Sequence, residues 1–306
     1  MRICESLGFG VVTLKSGIIG ARGVGKSTVF HALTGLAPIA GQGDAKNRAR
    51  PGNIKVSDAR LDFLETTYGS KKKVPVELTL LDFAPNPKEQ KEGAALDPSL
   101  LPLIRDLDAL MIVIPEFAGH EVALVAAIES VEGELIFADF DQTERRLERL
   151  KKEKGNTDFE RAGLEKCLKW LEEGKPLRTL ELTAQELAAF ASFGFLSRKP
   201  VIAVINCDAD RATAAMPDGD RAALTARGLD AFRLAATFES ELWELDAAGQ
   251  SELLHDAGLE QPARPADYGA LRVPRADYVL HRGRTRGACV VAAARCKRAG
   301  GGRADP

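Results

Sequence analysis

Residues 14–34 read LKSGIIGARGVGKSTVFHALT, and the eight positions from Gly20 to Ser27 match the pattern G-x-x-x-x-G-K-[ST] in full. The apolar run ending at Ile19 reads as a strand. Val29, Ala32 and Leu33 recur at helical spacing, and Gly35 supplies a stop. The order is therefore strand, glycine-rich loop, helix, which is the context the pattern requires. A triphosphate is a dense anion. Backbone N–H groups of Gly23, Val24, Gly25 and Lys26 can turn inward to cradle it, and the helix that follows adds its dipole. Glycines at 20, 23 and 25 permit the turns and the close approach. Lys26 is expected to reach the β- and γ-phosphates, Ser27 to ligate Mg²⁺, and Thr28 to hold the α-phosphate side.

Further along the chain, residues 74–82 (VPVELTLLD), 108–114 (DALMIVI) and 201–206 (VIAVIN) read as buried strands. Strands alternating with helical segments, such as 59–68 (ARLDFLETTY), predict an α/β fold with a mostly parallel sheet flanked by helices. Residues 37–53 and 84–99 read as loops from their Gly, Pro and polar content. Asp82 closes its strand where the second acidic residue of such a site belongs, so it is a candidate for the metal and, with Lys26, for catalysis. The segment Asn206-Cys207-Asp208-Ala209-Asp210 follows a strand and is a candidate for reading the base. Guanine is gripped by Asn-Lys-x-Asp; here Cys207 replaces the lysine and Ala209 the aspartate, which weakens a guanine reading. Ala235, Ala236 and Thr237 are candidates for the far wall of the base pocket.

The 306 residues suffice for a sizeable core and about two domains. Apolar content of 45% and a formal charge of -2 describe an ordinary soluble balance that argues neither for nor against a nucleic-acid partner. The five cysteines are odd in number and form no C-x-x-C pair, which argues against a disulfide framework or zinc and for thiols in a reducing cytoplasm. No apolar run is long enough to span a membrane. His31 has no second ligand at metal spacing and reads as structural; Lys71, Lys72 and Lys73 read as a solvated turn.

From about Glu132 to Glu186 the pattern changes to charged helix. Leu147 and Leu150 form one stripe, and Leu164, Cys167, Leu168 and Leu171 another. With Gly155 and Asn156 between them, the stripes predict an antiparallel helical hairpin. Residues 263–306 carry many arginines with little sustained periodicity, which predicts a basic tail without regular structure, able to touch RNA through phosphates.

These residues together resemble the YchF or Obg-like ATPases, a branch of the translation-factor-related P-loop GTPases. The likeness runs from about Lys15 to Gln261 and includes GIIGARGVGKSTVFHALTG, VSDARLDFL, LEKCL and LDAAGQSELLHDAGLEQP. The resemblance implies a domain plan of an extension (1–13), a nucleotide-binding domain (14–131 and 196–262), a helical-hairpin insertion (132–195), and a basic tail (263–306) where the family has a TGS domain. It also implies Mg²⁺-dependent binding and slow hydrolysis of ATP, with GTP as the alternative ligand, and association with the ribosome or ribosomal RNA. Neither DNA nor a membrane is an expected partner, and the oligomeric state is not legible. Carried over, Gly20 and Gly23 to Thr28 hold phosphates, Ser27 and Asp82 serve the metal, and Asn206, Cys207 and Asp208 lie at the adenine-reading positions. Three departures stand out. The family's Asp-x-x-Gly becomes Asp82-Phe83-Ala84-Pro85, and proline has no N–H to give the γ-phosphate. Ala45-Lys46-Asn47-Arg48 holds no switch threonine, and Ala209 stands where a base-pocket glutamate is expected. Two alternatives follow: a nucleotide-binding interaction module without useful hydrolysis, or a GTP-binding GTPase.

Overall fold

A computed structural model describes residues 13–37, 49–56, 72–74, 76–83, 94–119, 122–153, 158–258, 278–282 and 288–293. Its centre is a six-stranded sheet in the order β2-β4-β1-β5-β6-β7. These strands are β1 (Thr13–Ile19), β2 (Ala49–Val56), β4 (Val76–Phe83), β5 (Ala109–Glu116), β6 (Val201–Cys207) and β7 (Asp230–Leu234). A short β3 (Lys72–Val74) lies outside this sheet. All neighbours pair in parallel except β2, which runs antiparallel to β4 along one edge. β5 is buried along its first seven residues, which is why it reads as a continuous apolar run.

The described helices are α1 (Lys26–Thr34), α2 (Leu101–Arg105), α3 (Leu124–Leu150), α4 (Asp158–Glu172), α5 (Ala184–Ala189), α6 (Asp218–Ala226), α7 (Ala236–Leu242) and α8 (Ala247–Asp256). Two apolar clusters cover the sheet, one on each face. Ile104, Ile128, Val131 and Leu135 belong to one; Val29, Phe30 and Leu33 of α1 belong to the other. A third cluster joins Leu147 and Leu150 of α3 to Leu164, Cys167 and Leu171 of α4. Arg146 adds a two-pronged ion pair to Glu160, at 2.8 and 3.0 Å.

Four expectations need correction. β2 occupies residues 49–53, which read as loop: Pro51 and Gly52 mask a strand, and an edge position tolerates the missing N–H. Gly52 is required there, because a Cβ would lie 2.6 Å from Thr34 Cγ2. The long helix starts at Leu124, not near 132, and its first turns belong to the core under the sheet. Lys72 and Lys73 lie in β3 rather than in a turn. Within the segment expected to lack regular structure, β8 (Tyr278–Arg282) and β9 (Ala288–Ala293) pair antiparallel, and β9 pairs in parallel with β3. Their β-branched valines favour the extended backbone that the surrounding glycines and arginines conceal. The segment 59–68, the hairpin turn at Gly155 and Asn156, and the positions of Ala45 to Arg48, Ala84 and Pro85 lie outside the described residues. No helix among the described residues is long and apolar enough to cross a membrane.

Candidate functional site

β1 is flanked by β4 on one side and β5 on the other, so the chain leaves its C-terminal end at a point where successive strands diverge. A crevice at that point is where open parallel sheets place ligands. Residues 20–25 fill it with a turn that passes from β1 into α1. Gly20, Gly23 and Gly25 have φ of 148°, 83° and 87°. At Gly25 the positive φ is joined by steric exclusion, because a Cβ would overlap the Asn206 side-chain amide. α1 has no side-chain cap at its N-terminus, which leaves its first N–H groups to an outside acceptor. At the other end Gly35 closes the helix with φ 70° and donates to the His31 carbonyl. His31 is buried within this helix among apolar neighbours.

Lys26 folds back along the loop. Its Nζ donates to the carbonyls of Gly20 at 2.8 Å and Ala21 at 2.6 Å. Burial lowers its pKa to about 8, opposed by the charge of Asp82. Asp82 stands at the end of β4, one strand away. Burial raises its carboxyl above the usual carboxylate range, while Ser27, Lys26 and Arg50 pull it back. Its Oδ1 is buried and has no hydrogen-bond partner among the described residues. A buried carboxylate oxygen without a partner among the described residues, beside a serine hydroxyl, suits a divalent cation, whose hard charge prefers oxygen donors. The residues present therefore fit Mg²⁺, with Ser27 and Asp82 as the holders. Val24 is buried beneath the loop, and Thr28 is half-buried on α1, its carbonyl accepting from Ser240 Oγ at 3.3 Å.

Asn206 ties three elements together. Its Nδ2 donates to the Val24 carbonyl at 3.1 Å, and the N–H of Ala236 donates to its Oδ1 at 3.4 Å. The loop, β6 and the start of α7 are thus held by one buried amide, which places Ala235 and Ala236 across from the loop. Cys207 ends β6 and is buried, with its thiol pushed up to about 11 by burial. Asp208 accepts from the N–H of Ala118 at 3.1 Å, so its carboxylate is engaged with the segment after β5. Ala209 begins a short 3₁₀ turn and carries no polar side chain.

Two residues near the site were missed in the sequence. Arg50 pairs in register with Asp82, stacks 5.2 Å over Phe30 and donates to the Ala37 carbonyl at 2.6 Å. Nothing local marks it, because its strand is disguised by Pro51 and Gly52. Arg233 grips Glu116 with two bonds of 2.8 and 3.0 Å, fastening the ends of β5 and β7 on either side of β6. Glu116 closing an apolar run was the available signal.

No protein-family model matches the chain. Among curated proteins it is 32% identical over 279 residues to the ribosome-binding ATPase YchF of Haemophilus influenzae, covering 87% of this chain and 75% of that protein. The protein of the same name in Escherichia coli O157:H7 is 33% identical over 280 residues, with the same coverage. The Obg-like ATPase 1 of Schizosaccharomyces pombe is 31% identical over 212 residues, covering 63% and 54%. Among solved structures, the YchF GTPase of Schizosaccharomyces pombe superposes with a TM-score of 0.64 at 24% identity, over 84% of this chain and 75% of that one. At that identity the likeness speaks for the fold, a P-loop domain with a mostly parallel sheet between helices.

Proposed function

The chain belongs to the family of YchF and Obg-like ATPases, and on that premise we propose that it binds ATP with Mg²⁺ at the Gly20–Ser27 loop, hydrolyses it slowly, and acts on the ribosome. The observation that carries the reading is the alignment of Lys26, Ser27 and the orphaned Oδ1 of Asp82 at the mouth of one glycine turn. The ribosome enters from the names of the relatives, and a cytoplasmic location would follow from a partner of that kind.

The division of labour follows from position. Backbone N–H groups of Gly23 to Lys26 and the open N-terminus of α1 receive the phosphate chain, with Gly20 shaping the turn and Thr28 on the α-phosphate side. Lys26 neutralises charge that grows at the β–γ bridge. Ser27 and Asp82 hold Mg²⁺, which when bound spreads the charge of the phosphates. Asn206 fixes the wall of the base pocket, with Cys207 and Asp208 beside it. Adenine is preferred over guanine, because Ala209 has no carboxylate and that of Asp208 is occupied by Ala118. Water attacks the γ-phosphate in line. Among the described residues no side chain is placed to orient that water, which is why turnover is slow.

Calorimetric titration of nucleotide-free protein with ATP and GTP analogues, with and without Mg²⁺, tests the reading. Tight, Mg²⁺-dependent binding of the ATP analogue that is lost in Lys26→Ala is the expected result. Preference for the GTP analogue would sink the adenine assignment, and unaided turnover of about 1 s⁻¹ or more would sink the slow step. A second reading is favoured by one residue: Pro85 offers no N–H to a terminal phosphate. On that reading the protein is an interaction module that holds nucleotide without useful hydrolysis, and single-turnover assays that show no product while binding persists would establish it.

A further inference from the structure

Besides Lys26, one residue of the Gly20–Ser27 loop carries a charge: Arg22, to which the site as described gives no task. It is exposed, and among the described residues it has no hydrogen-bond or ion-pair partner. Its location follows from the lysine. The Ala21 carbonyl that receives Lys26 Nζ at 2.6 Å is bonded directly to the Arg22 nitrogen. The ammonium therefore lies beside the part of the loop that contains Arg22. A phosphate chain laid across the turn has two ends. One meets the helix N-terminus at Lys26 and Ser27; the other meets the ammonium and residues 21–23. At Gly23, the residue next to Arg22, φ is 83° and the space a Cβ would occupy is open.

An exposed guanidinium is worth little while both it and its surroundings are hydrated. A phosphate already held by the loop changes this. The arginine fork matches phosphate oxygens two at a time, and the ligand has been fixed in position by other contacts. Building on the nucleotide site proposed above, we infer that Arg22 binds the terminal phosphate of a nucleoside triphosphate and so sets the preference for triphosphate over diphosphate. A diphosphate ends short of it and gains nothing from the guanidinium.

The test is calorimetric titration of the full nucleotide-free chain, with Mg²⁺, using ADP and a non-hydrolysable ATP analogue. Three proteins are compared: the unmodified chain, Arg22→Ala and Arg22→Lys. The alanine variant is expected to lose roughly tenfold or more in affinity for the analogue, the size of one charge-assisted contact. Its affinity for ADP stays as before, which also shows that the loop remains folded. The lysine variant falls between, since it keeps the charge and loses the fork. Equal losses for both nucleotides would show that Arg22 supports the loop rather than the terminal phosphate, and would overturn the inference. So would an unchanged ratio of the two affinities with both still bound. Binding of neither nucleotide to the unmodified chain overturns the nucleotide-site reading itself, and this inference with it.

Discussion

Asp82 and Cys207 lie at the C-terminal ends of β4 and β6, two inner strands of the sheet separated by β1 and β5, and burial acts on both in the same direction with different consequences. The carboxyl of Asp82 is raised by burial and keeps one oxygen without a partner among the described residues, a cost that the proposed cation would offset. The thiol of Cys207 is pushed up to about 11 by burial, as is that of Cys167 in the helical hairpin. A raised thiol pKa means less thiolate at any given pH, so at pH 8 each holds roughly one thousandth of its population as the nucleophile. Brief iodoacetamide treatment of folded protein at pH 8, followed by peptide mapping, should therefore leave the Cys167 and Cys207 peptides unmodified, and unfolding in denaturant should expose both. Rapid modification of Cys207 in the folded chain would instead mark it as a reactive thiol beside the proposed base pocket. The residues of the loop were legible in the sequence because each requirement of the pattern is local. The role of Asn206 as a bridge was not, since Val24 and Ala236 lie 182 and 30 residues away along the chain. Nor was the engagement of Asp208, whose partner Ala118 lies 90 residues upstream.

Among elements, the helical hairpin was the most legible, because long amphipathic stripes carry their period with them. Leu147, Leu150, Leu164, Cys167 and Leu171 are all buried. Its lower boundary was not legible, since Ile128, Val131 and Leu135 continue the same periodicity into a different core. The edge strand β2 was hidden by its own Pro51 and Gly52. Two helix-interior glycines make a matched test of packing against propensity. Gly133 of α3 has open space where a Cβ would go; at Gly163 of α4 a Cβ would lie 2.6 Å from Phe190 Cζ. Alanine in a helix gains about 1 kcal/mol over glycine when nothing obstructs it. Gly133→Ala should therefore raise the melting temperature, and Gly163→Ala should lower it, because the fully packed Phe190 has to move. Melting curves that shift upward for both would show that the ring yields at little cost.

At the scale of the molecule, one buried acid fixes the hairpin to the sheet domain. Glu132, 1% exposed, sits between Arg178 and Arg227, the latter at 3.0 Å. Burial lowers the Arg178 pKa to about 10, with the second arginine contributing. Asp139, two turns further on the same face, accepts from the N–H groups of Leu196 and Ser197 at 2.9 and 2.7 Å and from Arg105 at 3.1 Å. Removing the acid leaves the buried Arg178 without its anion and facing Arg227, which keeps Glu129 as a partner. Glu132→Ala should cost on the order of 3–5 kcal/mol, read as a lower denaturant midpoint, with Glu132→Gln less severe. A loss under about 1 kcal/mol would mean that water already shares the site. These clamps bear on how α3 behaves as a body. It runs 27 residues without a break, its first half bolted into the sheet domain and its second half forming one wall of the hairpin. At a rise of 1.5 Å per residue, the part beyond Ile136 projects roughly 20 Å. It is a beam built in at one end, with no joint at which a tilt can dissipate. A rotation of about 5° at its root carries the far end through roughly 2 Å, so small adjustments of the sheet emerge, magnified, at the tip.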